Sequence, residues 1–256
     1  MEELKAEVKG IETNYTVEGL GTPLLILHGW GSSSESWERV QSELAHDGFS
    51  VICLDLPGFG KTFPPPEAWG VSLYAAFVLS FLAQLGLNRV VLLGHSFGGQ
   101  IAVRIASEHP DLAEKLILVA PAALRHDPGV ATKAAAVAAK TAGALFYLFP
   151  ASKLKQNMKS LLYMLLRRRD YLQAEGVMRQ VFQRVIREDS TSFLSRISAP
   201  TLLIWGDRDS FVPLEDAFEL ERSIPHATLK VIPNVGHSPQ LAVPEETISL
   251  IREFLG

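Results

Sequence analysis

The chain has 256 residues, 47% of them apolar and 20% charged, and a formal net charge of −4. That is length enough for one large α/β domain with its own core, and the charge balance argues against a nucleic-acid partner. One cysteine, Cys53, excludes an intrachain disulfide and, with no Cys or His at ligand spacing, a zinc site; no metal is expected.

Residues 7–17 alternate in polarity around Gly10 and predict a β-hairpin. Apolar runs then alternate with amphipathic stretches. Residues 24–27 form a buried strand ending at His28-Gly29. Residues 34–45 predict a helix, 50–56 a strand ending at Pro57-Gly58, and 72–85 an apolar helix closed by Gly86. Residues 89–93 predict a strand, 98–108 a helix stopped before Pro110, and 115–119 another strand. The last four elements are strand 201–205, helix 214–222, strand 228–232 and helix 245–255. Strands apolar throughout belong in a parallel sheet covered on both faces, joined by right-handed strand–helix–strand crossovers.

Residues 122–195 break this rhythm. They have helical composition and no strand signal, and they fall between two strands. The expected organisation is therefore a core of residues 1–121 and 196–256 with a helical cap inserted at 122–195. The cap carries 12 Lys/Arg and 5 Asp/Glu, net +7, against −11 for the remainder. The opening Met-Glu-Glu-Leu-Lys lacks the apolar centre of a signal peptide, which points to the cytoplasm. The longest apolar stretch, 134–150, is interrupted by Lys140 and falls short of the roughly 20 residues that span a bilayer, so no stable membrane insertion is expected.

Gly94-His95-Ser96-Phe97-Gly98 fits G-x-S-x-G directly after an apolar strand and directly before a helix, the context that pattern needs. A strand turning sharply into a helix would hold Ser96 strained at the carboxyl edge of the sheet, with glycines at 94 and 98 where side chains would collide. A serine hydroxyl needs a base. Of seven histidines, His237 follows Gly236 in the loop after strand 228–232, and loops after parallel strands open on the same edge as the elbow. His226 precedes that strand and lies at the wrong end. The base needs a carboxylate to fix its tautomer. Asp207 and Asp209 both follow strand 201–205; Asp207 at the strand end suits a turn, Asp209 is favoured as the acid, and spacing alone does not separate them. Two oxyanion donors are expected: the N–H of Phe97, next to the nucleophile, and the N–H of Trp30, in the glycine-rich loop after strand 24–27. His28 is read as holding that loop by hydrogen bonds. His28 and Gly29 are also placed among the substrate contacts, with Phe146, Tyr147 and Tyr163 of the cap.

These residues fall into five motifs: H-G-W-G at 28–31, D-L-P-G-F-G-K-T at 55–62, G-H-S-F-G-G at 94–99, W-G-D-R-D at 205–209 and G-H at 236–237. In this order they resemble the capped members of the α/β-hydrolase superfamily along nearly the whole chain. The resemblance implies a mostly parallel eight-stranded sheet flanked by helices, Asp209 as the triad acid, and Trp30 and Phe97 at the oxyanion. It also separates branches. Haloalkane dehalogenases and most epoxide hydrolases of this fold carry aspartate at the elbow, whereas this chain has Ser96. The meta-cleavage C–C hydrolases commonly have asparagine before the nucleophile, whereas this chain has His95. The first two motifs are similar to those of carboxylesterases.

The expected function is a serine hydrolase cleaving small-molecule carboxylic esters of small to medium acyl chains through an acyl-enzyme. The alternatives are a lactone, thioester or C–C bond hydrolase with the same triad, or a ligand-binding protein that retains it. No cofactor is expected, because the triad supplies nucleophile, base and electrostatics. The chain is expected to be a monomer or homodimer.

Overall fold

A computed structural model describes residues 1–125 and 176–256. Eight strands form one sheet in the order β1-β2-β4-β3-β5-β6-β7-β8. They are β1 (Glu2–Val8), β2 (Ile11–Glu18), β3 (Thr22–Leu27), β4 (Phe49–Leu54), β5 (Val90–His95), β6 (Ala113–Val119), β7 (Thr201–Gly206) and β8 (Ala227–Ile232). The hairpin expected at 7–17 is β1–β2. It turns through Lys9 and Gly10, both at positive φ (50° and 77°), the backbone a type I′ turn requires. β2 runs antiparallel to β4, and every other pairing from β4 to β8 is parallel.

The parallel strands show why their sequences read as continuous apolar runs. Leu25, Leu27, Leu92, Leu116, Leu118, Leu203 and Trp205 point into one core layer, while Leu24, Ile26, Val91, Leu93, Ile117, Val119, Leu202 and Ile204 point into the other. Successive residues on a strand face opposite sides, so a sheet covered on both faces needs apolar residues at every position. The first layer is closed by α2 (Val71–Gln84), through Tyr74, Phe77 and Phe81, and by α3 (Phe97–Glu108), through Ile101 and Ile105. The second is closed by α1 (Glu38–His46), preceded by a 3₁₀ turn at Ser34–Trp37, and by the C-terminal helix, with Val40, Leu44, Ile248 and Ile251 buried against the sheet.

The described end of the stretch read as an insertion holds α4 (Gly176–Val185) and α5 (Thr191–Leu194). Met1–Leu124 and Gly176–Gly256 form one compact unit, and Val181, Val185 and Leu194 are buried in the first layer. Glu188, between these two helices, accepts the N–H of Val71 with Oε1 (3.0 Å) and so satisfies an open donor at the start of α2. The remaining helices among the described residues are α6 (Leu214–Ser223), α7 (Pro239–Ala242) and α8 (Pro244–Leu255). Among the described residues no helix is long and apolar enough to cross a membrane. The cap residues Phe146, Tyr147 and Tyr163 lie outside the described residues.

Candidate active site

The elbow forms because β5 runs straight into α3 with a single residue between them. That residue, Ser96, has φ 51° and ψ −112°, a region that side-chain-bearing residues avoid. The conformation is held from both sides. The Ser96 N–H donates to Val119 O of β6 (3.0 Å), and its carbonyl accepts the N–H groups of Gln100 (3.1 Å) and Ala122 (3.0 Å). Close packing explains the glycine at 98: a methyl group there would collide with the backbone oxygens of Leu27 and His28. The first turn of α3 therefore lies directly on the end of β3.

Ser96, His237 and Asp209, 141 and 28 residues apart along the chain, are brought into one hydrogen-bonded row. The Ser96 hydroxyl donates to His237 Nε2 (2.9 Å), and His237 Nδ1–H donates to Asp209 Oδ2 (2.7 Å). A carboxylate only accepts, so the proton on the imidazole sits on Nδ1 and the lone pair faces the serine. The Asp209 side chain is fully buried, whereas His237 retains 15% exposure. Asp209 Oδ1 accepts the N–H groups of Phe211 (2.7 Å) and Val212 (3.0 Å), which fixes the carboxylate plane. Asp207, two residues earlier, turns the other way, and its Oδ1 accepts the N–H of Asn234 (2.6 Å). The pair left open by spacing is thus divided: Asp209 meets His237, and Asp207 fastens the loop after β7 to the loop after β8.

The loop after β3 rests on the elbow. A methyl group at Gly29 would lie 2.8 Å from His95 Nδ1 and 3.3 Å from Ser96 Cβ, so only glycine permits this approach. His28 holds the loop. Its Nε2 accepts the N–H of Leu56 (3.0 Å) and its Nδ1–H donates to Gly29 O (2.7 Å), leaving neither ring nitrogen for a substrate. Burial pushes its pKa below the ordinary histidine value, in keeping with a neutral ring. Asp55 anchors the same loop from β4, its Oδ1 accepting Ser34 N–H (2.7 Å) and its Oδ2 accepting Asn14 Nδ2 (3.0 Å) and Lys61 N–H (3.0 Å). Among the described residues the N–H groups of Trp30 and Phe97 have no protein acceptor.

Three further side chains stand at the site; of these sequence reasoning named only His95, and gave it no role there. Phe182 of α4 meets the Trp30 ring edge-on at 4.9 Å, in a cluster where Trp30 also meets Phe59 (4.8 Å) and Phe97 (5.6 Å). Phe211, 56% exposed, lies 5.1 Å from the His237 ring. His95 lies 5.0 Å from the His237 ring, and its Nε2–H donates to the His237 carbonyl (2.9 Å). The signal for His95 was its place inside the elbow motif; Phe182 and Phe211 carry none beyond being apolar.

The family model for the alpha/beta hydrolase fold matches residues 22–242. The chain belongs to this family. A relative from Cupriavidus pinatubonensis, 2-hydroxy-6-oxononadienedioate/2-hydroxy-6-oxononatrienedioate hydrolase, is 30% identical over 96% of this chain and 90% of its own. Among solved structures, a thermophilic esterase from Thermogutta terrifontis superposes with a TM-score of 0.74 at 26% identity, covering 100% of this chain and 98% of that one. An N-acyl homoserine lactone degrading enzyme superposes equally well, with a TM-score of 0.74 at 25% identity over 98% of this chain and 100% of its own. The fold expectation, an eight-stranded and mostly parallel sheet of α/β-hydrolase type, is borne out.

Proposed function

We propose that this alpha/beta hydrolase cleaves carboxylic esters of small to medium acyl chains through an acyl-enzyme on Ser96. The hydrogen-bonded row Ser96–His237–Asp209 is the observation that supports this reading. His237 Nε2 takes the hydroxyl proton as Ser96 Oγ attacks the ester carbonyl. The buried Asp209 carboxylate stabilises the imidazolium that forms. The N–H groups of Trp30 and Phe97 receive the oxyanion, each donor contributing about 3 kcal/mol in comparable sites. His237 returns the proton to the leaving alcohol. It then takes one from water, whose hydroxide equivalent attacks the acyl carbon, and the acid leaves as Ser96 regains its proton.

Labelling with a fluorophosphonate tests the nucleophile, and a chain-length series of nitrophenyl esters tests the substrate class. Ser96 is the expected site of labelling, and Ser96→Ala should lower ester turnover by roughly 10⁴-fold or more with the fold retained. Label on another residue, or full activity of that variant, would overturn the proposal. The Cupriavidus relative and the lactone-degrading structure support a second reading, C–C bond or lactone hydrolysis by the same row. Turnover of those substrates in preference to every nitrophenyl ester would select it. Tight ligand binding without turnover would instead select a triad-retaining binding protein.

A further inference from the structure

His95 lies where three loops meet. It ends β5 next to Ser96, its ring packs against Gly29 of the loop after β3, and its Nε2 reaches the backbone carbonyl of His237 in the loop after β8. His95 is 5% exposed, and among the described residues this is the ring's one hydrogen bond: Nδ1 is buried and has no partner there. A carbonyl can only accept, so Nε2 must carry the proton and Nδ1 must be the bare nitrogen. A proton on Nδ1 as well would be a buried donor without an acceptor, facing Gly29 across a gap too narrow for a methyl group. Burial, together with the neighbouring His237, accordingly lowers the His95 pKa to about 3. The ring is an uncharged donor held in one tautomer.

What this donor grips is the base itself. His237 is held through its side chain by Asp209 and through its own carbonyl by His95. The second hold acts on the backbone of the residue whose Nε2 must stay within 2.9 Å of Ser96 Oγ. The two ends of this brace are 142 residues apart, and one of them is the immediate neighbour of the nucleophile. A displacement of the β8 loop relative to the elbow must therefore break this hydrogen bond.

We propose that His95 is a positioning residue that sets the distance between Ser96 and His237 by donating Nε2–H to the His237 carbonyl. This rests on the reading of Ser96 and His237 as nucleophile and base. It predicts that the donor matters more than the ring. His95→Phe keeps an aromatic ring but loses the donor. His95→Gln loses the ring but can place an amide N–H where Nε2 was. With an ester that the unaltered enzyme turns over, His95→Phe should lower kcat roughly 10- to 100-fold with KM within about twofold, because a small misplacement of a reacting pair costs rate rather than binding. His95→Gln should recover most of that loss. Equal loss in both variants, unchanged kcat in His95→Phe, or a change confined to KM would overturn the proposal. Nitrogen-15 spectra of the unaltered, histidine-labelled protein at neutral pH test the same claim without a substitution. His95 is expected to show the neutral Nε2–H tautomer, and an Nδ1–H tautomer or an imidazolium would refute it. Failure of the Ser96 reading is distinguishable, because it appears as unaltered turnover in Ser96→Ala whatever the His95 variants do.

Discussion

The loops after β5 and after β8 bring Ser96 and His237 within hydrogen-bond distance, and they are built on opposite plans. The elbow after β5 is held by its own neighbourhood. One residue in a costly backbone conformation sits between a buried strand and a helix, gripped by hydrogen bonds to β6 and α3, with a glycine where α3 meets β3. The loop after β8 has little of its own to hold it. His237 is fixed by Asp209 from the loop after β7 and by His95 from the elbow, while Asp207 and the Arg208 N–H bind Asn234 and Val235 further back. Ser96 is positioned by local strain that packing maintains; His237 is positioned by other loops.

That contrast can be broken from either side. The largest effect should come from Asp209→Asn, which leaves the loop in place but allows the wrong His237 tautomer; kcat/KM is expected to fall roughly 10⁴-fold. Asp207→Ala, two residues away, should lose only the tie to Asn234, about 1 kcal/mol of stability, with turnover nearly unchanged. Parallel kinetics and urea titrations of the two variants check this, and comparable loss of turnover in both would mean that the loop as a whole, rather than one carboxylate, holds the base. On the elbow side, Gly98→Ala forces a methyl group against the carbonyls of Leu27 and His28. It should cost about 3 kcal/mol in a denaturant titration.

A further effect concerns acid. His95 is neutral in the fold down to about pH 3, whereas in the unfolded chain it takes up a proton near pH 6.5. The unfolded state therefore binds the extra proton inside this window. Stability present above pH 6.5 is lost as pH falls, by about 1.4 kcal/mol per pH unit for this one group. Urea midpoints measured at several pH values inside the window should show a shallower slope for His95→Gln than for the unaltered chain. An identical slope would mean that His95 is not the buried neutral group responsible.

Much of the site was legible in the sequence because its parts are local. The elbow is five consecutive residues between a recognisable strand and helix. His237 was singled out by following a parallel strand, which places it at the same edge. His226 was set aside for preceding that strand, and its carbonyl does meet the start of β7, where it accepts the Thr201 N–H. The division of labour between Asp207 and Asp209 was not legible, because both stand in one turn and differ only in what they meet across 27 and 28 residues. His28 shows the same limit. It was read both as a loop support and as a substrate contact, and the two ring hydrogen bonds assign it to the loop.

The sequence by itself determined the sheet, the elbow and the candidates Ser96 and His237, because the periodicity of buried strands and one short turn motif act within a few residues. Only the tertiary structure decided which aspartate meets His237, that His95 clasps the carbonyl of His237, and that Phe182 and Phe211 stand beside the site. Those choices depend on which loops the parallel strands bring to one edge. Distances between residues far apart in the chain are set by the packing of the whole sheet, and no local pattern carries them.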